Sequence, residues 1–226
     1  MSETYIAPDE LSSSDGRLLV RLAREAISSY LTRREVLKPK AGIPGKLFRR
    51  GMTFVTILKF PTLELRGCIG YTSPMEPLVA NVVNAAIAAA TQDPRFPPLT
   101  INELGGVVIE VSVLSIPKPT GPNPEDRLGS FTIGRHGLVV EHGFNKGLLL
   151  PEVPVEYCWD GETFLSETCL KAGLPPDCWL NAKVSLLTFY ARTFREVKPG
   201  GDVMERDLAK EFRDRCRHLF TLKETP

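Results

Sequence analysis

The sequence predicts an α+β protein: a largely antiparallel sheet flanked by helices. Three observations carry this reading. Extended, β-branched runs outnumber helical ones. Several of these runs are separated by only a few turn-forming residues, the spacing of local hairpins. Val107, Ile109, Val111 and Val113 face one way while Glu110 and Ser112 face the other, the two-residue period of a half-buried strand.

Taken in order, residues 1–12 read as an irregular arm, and Ser12-Ser13-Ser14-Asp15 offers N-cap residues. Leu18, Leu19, Leu22, Ala23, Ala26, Ile27 and Tyr30 then follow helical spacing, giving a helix from about Asp15 to Thr32. Its opposite face carries Arg17, Arg21, Arg24 and Glu25. The stretch from Pro39 to Gly45 is a loop. Two strands follow, Gly51 to Phe60 and Leu63 to Ile69, broken at Pro61-Thr62 and close enough to pair. Glu76 to Gln92 is helical, its alanines small enough to press against a neighbour, and Asp93-Pro94 ends it. Arg95-Phe96-Pro97-Pro98 is a stiff loop, Leu99 to Leu104 a short helical turn, and Pro117 to Pro124 a long loop. Leu138 to Glu141 and Leu148 to Val153 form a hairpin around Gly143 to Gly147. Gly161 to Lys171 is helical and Gly173 stops it. A long strand, Val184 to Phe194, precedes a last helix from Val203 to Leu219 with Leu208, Phe212, Cys216 and Leu219 inward.

The 226 residues suffice for one large domain or a two-lobed one. With 28 basic against 27 acidic residues, no broad nucleic-acid footprint is expected. No apolar run approaches the roughly 20 residues of a membrane span, and the first residues carry no secretory pattern. A cytoplasmic protein without membrane contact is the expectation. The five cysteines include no Cys-x-x-Cys pair, so neither zinc nor another cofactor is expected. Cys158, Cys169 and Cys178 lie near one another, which leaves a disulfide open; such bonds are rare in the cytosol outside hyperthermophiles. A single glutamine, Gln92, and 19 prolines fit a thermophilic source.

Chemistry concentrates in Glu64-Leu65-Arg66-Gly67-Cys68-Ile69-Gly70-Tyr71. On a strand, Arg66 and Cys68 share a face, and a guanidinium beside a thiol favours the thiolate. Gly67 and Gly70 let a ligand or another backbone approach closely. Cys68 reads as a nucleophile or redox thiol, or else as a small buried hydrophobe on a central strand. His136, in a glycine-bounded turn, is the preferred base, or a turn histidine bonded to backbone. His142 reads as solvated and His218 as structural. Asp93 and Arg95, held by Pro94, bind a polar ligand or pair with each other to fix the loop. Glu152 is a general acid or base, or a solvated strand-end carboxylate.

Leu65-Arg66-Gly67-Cys68-Ile69-Gly70 resembles the signature of the AMMECR-one family. Asp93-Pro94-Arg95-Phe96-Pro97-Pro98, Gly134-Arg135-His136-Gly137-Leu138, Leu149-Leu150-Pro151-Glu152-Val153, Trp159-Asp160 and Lys171-Ala172-Gly173-Leu174 match further family segments in order. Tyr71 departs from the family's usual Thr. The resemblance spans roughly residues 12–200 and leaves 201–226 as a C-terminal helix and tail. It implies a two-lobed fold with a cleft: a larger lobe from the N- and C-terminal parts, a smaller one from the middle. It also implies a link to Memo-like and radical-SAM proteins, the AmmeMemoRadiSam grouping, but no established reaction. Two functional readings follow. One is a cysteine-dependent enzyme acting on a small molecule or a protein, with Cys68, Arg66 and His136 at its centre. The other is a non-catalytic accessory protein that works with such partners.

Overall fold

The computed structural model describes residues 4–39 and 42–217. Helices and antiparallel strands mix along the chain, as the α+β reading requires. The elements are α1 (Ser13–Arg33), β1 (Met52–Lys59), β2 (Leu65–Tyr71), α2 (Leu78–Thr91), β3 (Val107–Leu114) and β4 (Lys118–Pro119). They continue with α3 (Pro124–Gly129), β5 (His136–His142), β6 (Asn145–Leu149), α4 (Glu152–Glu156) and α5 (Gly161–Lys171). The last are β7 (Ser185–Glu196), β8 (Val203–Glu205) and α6 (Leu208–Arg215). Two units divide the chain. The first runs through Leu114 and takes up Arg192–Arg206; the second is Ser115–Ala191 with the chain from Asp207 onward.

In the first unit, α1 opens with a reciprocal cap. Ser12 Oγ accepts from the Asp15 N–H, and the Asp15 carboxylate accepts the Ser12 N–H at 2.7 Å. The helix closes on Arg34, which takes a left-handed conformation at φ 59°. The strands lie in the order β2-β1-β3-β7, with β8 on the other side of β7. One sheet face is apolar. Val55 and Ile57 of β1 and Val107, Ile109, Val111 and Val113 of β3 pack with Leu19, Ala23, Ala26 and Ile27 of α1 and Val79, Val82 and Ala86 of α2. Each buried Val, Leu or Ile side chain here contributes about 1.5–3 kcal/mol of burial.

The other face corrects the half-buried reading of β3, because all eight of its residues are buried. Glu110 is only 1% exposed and is held by Arg206 at 3.0 Å and Arg195 at 3.8 Å. Ser112 Oγ meets Thr193 Oγ1 at 3.0 Å. Polar residues that read as a solvent face are buried here because partners far along the chain satisfy them.

In the second unit, the first half of β7 pairs with β5, from His136 opposite Tyr190 to Glu141 opposite Ser185. The β6 strand completes the predicted hairpin, and β4 pairs with β7. Phe164, Leu165 and Cys169 of α5 pack with Leu138, Val140, Leu186 and Trp179. Arg127 of α3 is buried, and its guanidinium donates to the carbonyls of Gly121, Trp179, Asn181 and Val184. A smaller cluster joins Val155, Leu208, Phe212 and Cys216.

Several boundaries differ from expectation. The arm holds a single 3₁₀ turn, Pro8–Glu10. The hairpin's second strand stops at Leu149, because Pro151 already has helical angles and opens α4. The stretch Val203–Leu219 is not one helix. Val203–Glu205 pairs with β7, and α6 starts afresh at Asp207, whose side chain accepts from the Lys210 N–H at 2.9 Å. His218 and Leu219 lie outside the described residues. Two disulfides form, Cys158–Cys216 and Cys169–Cys178, and Cys68 keeps its thiol. The Cys158–Cys216 bond joins residues 58 apart, which restricts the unfolded chain by about 4 kcal/mol in the loop-entropy account. Cys216→Ser is therefore expected to lower the unfolding free energy by about that amount in a denaturant titration. Reductant should remove the contributions of both disulfides from the parent protein but only that of Cys169–Cys178 from the variant.

Candidate functional site

The β2 strand is the edge of the first unit's sheet, not a central strand. Cys68 and Gly70 point to the polar face, while Gly67 and Ile69 point to α2; the register with β1 slips at Arg66. Across β1, Cys68 is paired with Thr56, and Thr56 in turn with Glu110 on β3. Directly opposed side chains on adjacent strands stand about 4.5–5.5 Å apart at Cβ. A thiol, a hydroxyl and a carboxylate thus form one row across three strands. Thr56 Oγ1 donates to Cys68 Sγ at 3.3 Å, and the thiol is half-buried.

The open edge of β2 is bound by side chains. The Cys68 N–H donates to Asp93 Oδ2 at 2.8 Å, and the Cys68 carbonyl accepts from Arg95 Nη2 at 3.3 Å. Asp93 and Arg95 themselves pair at 2.7 Å. Together they supply an acceptor and a donor where a neighbouring strand would. The Arg95 guanidinium, with the N–H groups of Cys68 and Arg95, holds the Asp93 carboxyl at about 2 against partial desolvation. The same pairing raises Arg95, and the thiolate form of Cys68 would add to that rise.

Arg66 has a different task from the one its spacing suggests. Its guanidinium donates to Glu103 at 3.0 Å and to the Pro97 carbonyl at 2.9 Å. The Phe96 ring centroid lies 6.0 Å from the Arg66 guanidinium carbon and 5.6 Å from that of Arg95. Arg95 is therefore the cation electrostatically linked to Cys68, while Arg66 anchors the loop from Asp93 to Pro98.

The two glycines serve close packing. A Cβ on Gly67 would sit 2.2 Å from the Ala89 carbonyl oxygen of α2. A Cβ on Gly70 would sit 2.3 Å from Cγ of Phe54, its partner on β1. The Phe54 ring thus covers Gly70 beside the thiol.

His136 and Glu152 belong to the second unit. His136 Nδ1 accepts from the Thr132 N–H at 3.0 Å. Burial, and then the charge of Arg135, push its pKa down, so the ring is neutral near pH 7 with its proton on Nε2. Glu152 is not a solvated strand end: it begins α4 and is 5% exposed. The structure thus gathers Arg66, Cys68, Asp93 and Arg95, and adds Thr56, Glu103 and Phe96, which the sequence reading did not select. Two signals were present. Thr56 is the polar residue in β1 with parity opposite to Val55 and Ile57, and Thr100-x-x-Glu103 has the form of a capping box. Among the described residues no group of three His, Cys, Asp or Glu side chains could hold a metal ion, and no helix is long and apolar enough to cross a membrane.

These features define a mixed α and β protein with a thiol on a clamped edge strand. The chain belongs to the AMMECR1 family, whose model matches residues 20–194. It is 47% identical over 196 residues to a protein of Thermococcus gammatolerans, covering 85% of this chain and 96% of the relative. It is 48% identical over 205 residues to Protein MK0488 of Methanopyrus kandleri, covering 90% and 99%. The crystal structure of the uncharacterized protein PH0010 from Pyrococcus horikoshii has the same fold, with a TM-score of 0.83 at 45% identity, covering 85% of this chain and 97% of that one.

Gly67→Ala is expected to destabilise the protein by about 2–3 kcal/mol, since the new methyl meets backbone that cannot yield without shifting α2; thermal unfolding measures it. Because the Asp93 carboxyl lies at about 2 against an ordinary 3.8, its contribution is present above pH 3.8 and lost as the pH falls through 2. Asp93→Asn is expected to remove on the order of 2 kcal/mol of stability at neutral pH and to flatten the stability curve in that window. Denaturant titrations at a series of pH values test this.

Proposed function

We propose that the protein is a cysteine-dependent enzyme of the cytoplasm. Cys68 is the nucleophile toward an electrophilic centre on a small molecule or a protein. The observation that carries the reading is the Thr56 hydroxyl donating to Cys68 Sγ, since a donor aimed at sulfur favours the thiolate over the thiol. Arg95, with half of its side chain exposed, adds a positive charge and is the group on hand for a substrate anion. The thiolate sulfur supplies the electron pair of the new bond, and the pair displaced from the electrophile moves onto its own leaving or carbonyl atom. Thr56 is a positioning residue in this scheme. A cytoplasmic setting is compatible with two disulfides, because intracellular proteins of hyperthermophiles carry such bonds, and the relatives come from thermophilic organisms.

A second reading keeps the same surface without chemistry. Arg66, Asp93, Arg95 and Glu103 all hold strand β2 and its loop in place. Such rigidity suits an accessory protein that docks a Memo-like or radical-SAM partner. Co-purification of the native protein with such a partner, in the absence of any turnover, favours it.

The enzyme reading is tested by the rate of iodoacetamide alkylation against pH. Cys68 is expected to react near pH 7, and Cys68→Ala to abolish labelling. Thr56→Val should slow the reaction at pH 7 by about fivefold, the worth of a hydrogen bond of about 1 kcal/mol. A Cys68 that stays inert until strongly alkaline pH would sink the nucleophile role.

A further inference from the structure

Helix α1 buries one side in the core of the first unit, and the margin of that core is open along a groove: Leu22 belongs to the core, and Leu18, Leu37 and Ile43 pack against it. Leu18 and Leu22 stand four residues apart and so one above the other. Together with Leu37 and Ile43 they line a hollow of about 400 Å³ that extends from Ser14 to Glu25 along the helix. At 1.5 Å per residue that is about 16 Å, or three helical turns. Arg17, Arg21 and Lys38 also line it, against the single carboxylate of Glu25.

Among the described residues Arg17, Arg21, Lys38 and Glu25 take no part in ion pairs. The contrast is the neighbouring Arg24, which donates to Glu196 at 2.5 Å and to the Val107 carbonyl at 2.6 Å. Arg17 and Arg21 are like charges at i and i+4, while Arg21 and Glu25 are opposite charges at the same spacing, so Arg17 is the cation whose placement works against the helix. An apolar floor flanked by cations that no described residue pairs with fits a ligand with the opposite pattern. Its lining residues follow three turns of α1, and an amphipathic helix lays its apolar face along such a groove.

We propose that this groove docks an acidic amphipathic helix of a partner protein. Apolar side chains of that helix at i and i+4 seat among Leu18, Leu22, Leu37 and Ile43, and its flanking carboxylates meet Arg17, Arg21 and Lys38. The groove is separate from Cys68, so the proposal stands whichever reading of the thiol is right.

The probe is a fluorescein-labelled, alanine-based helical peptide with leucine at i, i+4 and i+7 and glutamates flanking that stripe, measured by anisotropy against the full chain. Its counterpart carries lysine in place of every glutamate. The glutamate peptide is expected to bind saturably and less tightly as salt rises, and the lysine peptide not to bind. The triple variant R17E, R21E, K38E should weaken binding about tenfold or more at unchanged melting temperature. Arg21→Gln serves as a milder second variant, expected to weaken it severalfold. Amide NMR signals of residues 14–25 should move on titration. Equal binding of both peptides, no saturable binding, or full binding by the variants overturns the proposal. It is equally overturned if phosphatidylglycerol vesicles sediment the protein through these three cations while the glutamate peptide fails, since the occupant is then a membrane surface.

Discussion

The arrangement around Cys68 depends on one close approach, the Ala89 carbonyl of α2 against Gly67 of β2. With no Cβ at residue 67, the C-terminal end of the helix lies directly on the edge strand. Asp93, four residues beyond Ala89, then reaches the Cys68 N–H, and Arg95 reaches its carbonyl. The loop that follows places Phe96 near both Arg95 and Arg66, and Arg66 ties Pro97 and Glu103 to the strand. Each contact requires the one before it. A side chain at residue 67 would move the helix end and with it the clamp, so the glycine acts on the thiol without touching it.

The sheet of the first unit separates two kinds of burial. On one face, aliphatic side chains meet α1 and α2, and the driving force is area removed from water. On the other, Glu110, Ser112, Thr193 and Arg206 are equally hidden but must be satisfied one by one. Taking a carboxylate and two guanidinium groups out of water costs several kcal/mol per ion before their attraction is counted. Such a face is a poor way to gain stability. It is a good way to hold a particular arrangement of polar groups, and the Cys68–Thr56 contact lies at its edge beside Glu110.

What the sequence made legible follows from the range of the interactions. The helix at 13–33 and the strands at 52–59 and 65–71 announce themselves through local periodicity, caps and a proline break. The neighbourhood of Arg66 and Cys68, and the pairing of Asp93 with Arg95, were legible because those residues are close in sequence. The target of that pair was not, since it is a backbone group 25 residues earlier. Glu110 read as solvent-facing because Arg206 is 96 residues away. Val203 reads as the start of the last helix because Leu208, Phe212 and Cys216 beyond it keep helical spacing; pairing with β7 decides otherwise. The α3 and α4 helices, at 6 and 5 residues, are too short to show a period. The Cys158–Cys216 bond spans 58 residues, and no spacing rule predicts it.

Arginine shows most clearly why composition understates this protein. A net charge of +1 suggests a surface without electrical character. Yet Arg24, Arg66, Arg127, Arg192 and Arg206 are drawn into the structure, each donating to carbonyl or carboxylate oxygens. A planar guanidinium with five donors suits that work, because it crosslinks several chain segments at once. Their charge is largely answered by nearby acids or, at Arg127, spread over carbonyls. Arg17 and Arg21 share a helix with Arg24 and were indistinguishable from it by spacing, but they form no ion pair with a described acid. A helix that stabilised only its own fold would gain from glutamate at 17, which would convert a repulsive i,i+4 pair with Arg21 into an attractive one, whereas glutamate at 21 would face Glu25. Keeping Arg17 on an apolar groove is therefore a cost to the fold, and a partner of opposite charge is what would offset it.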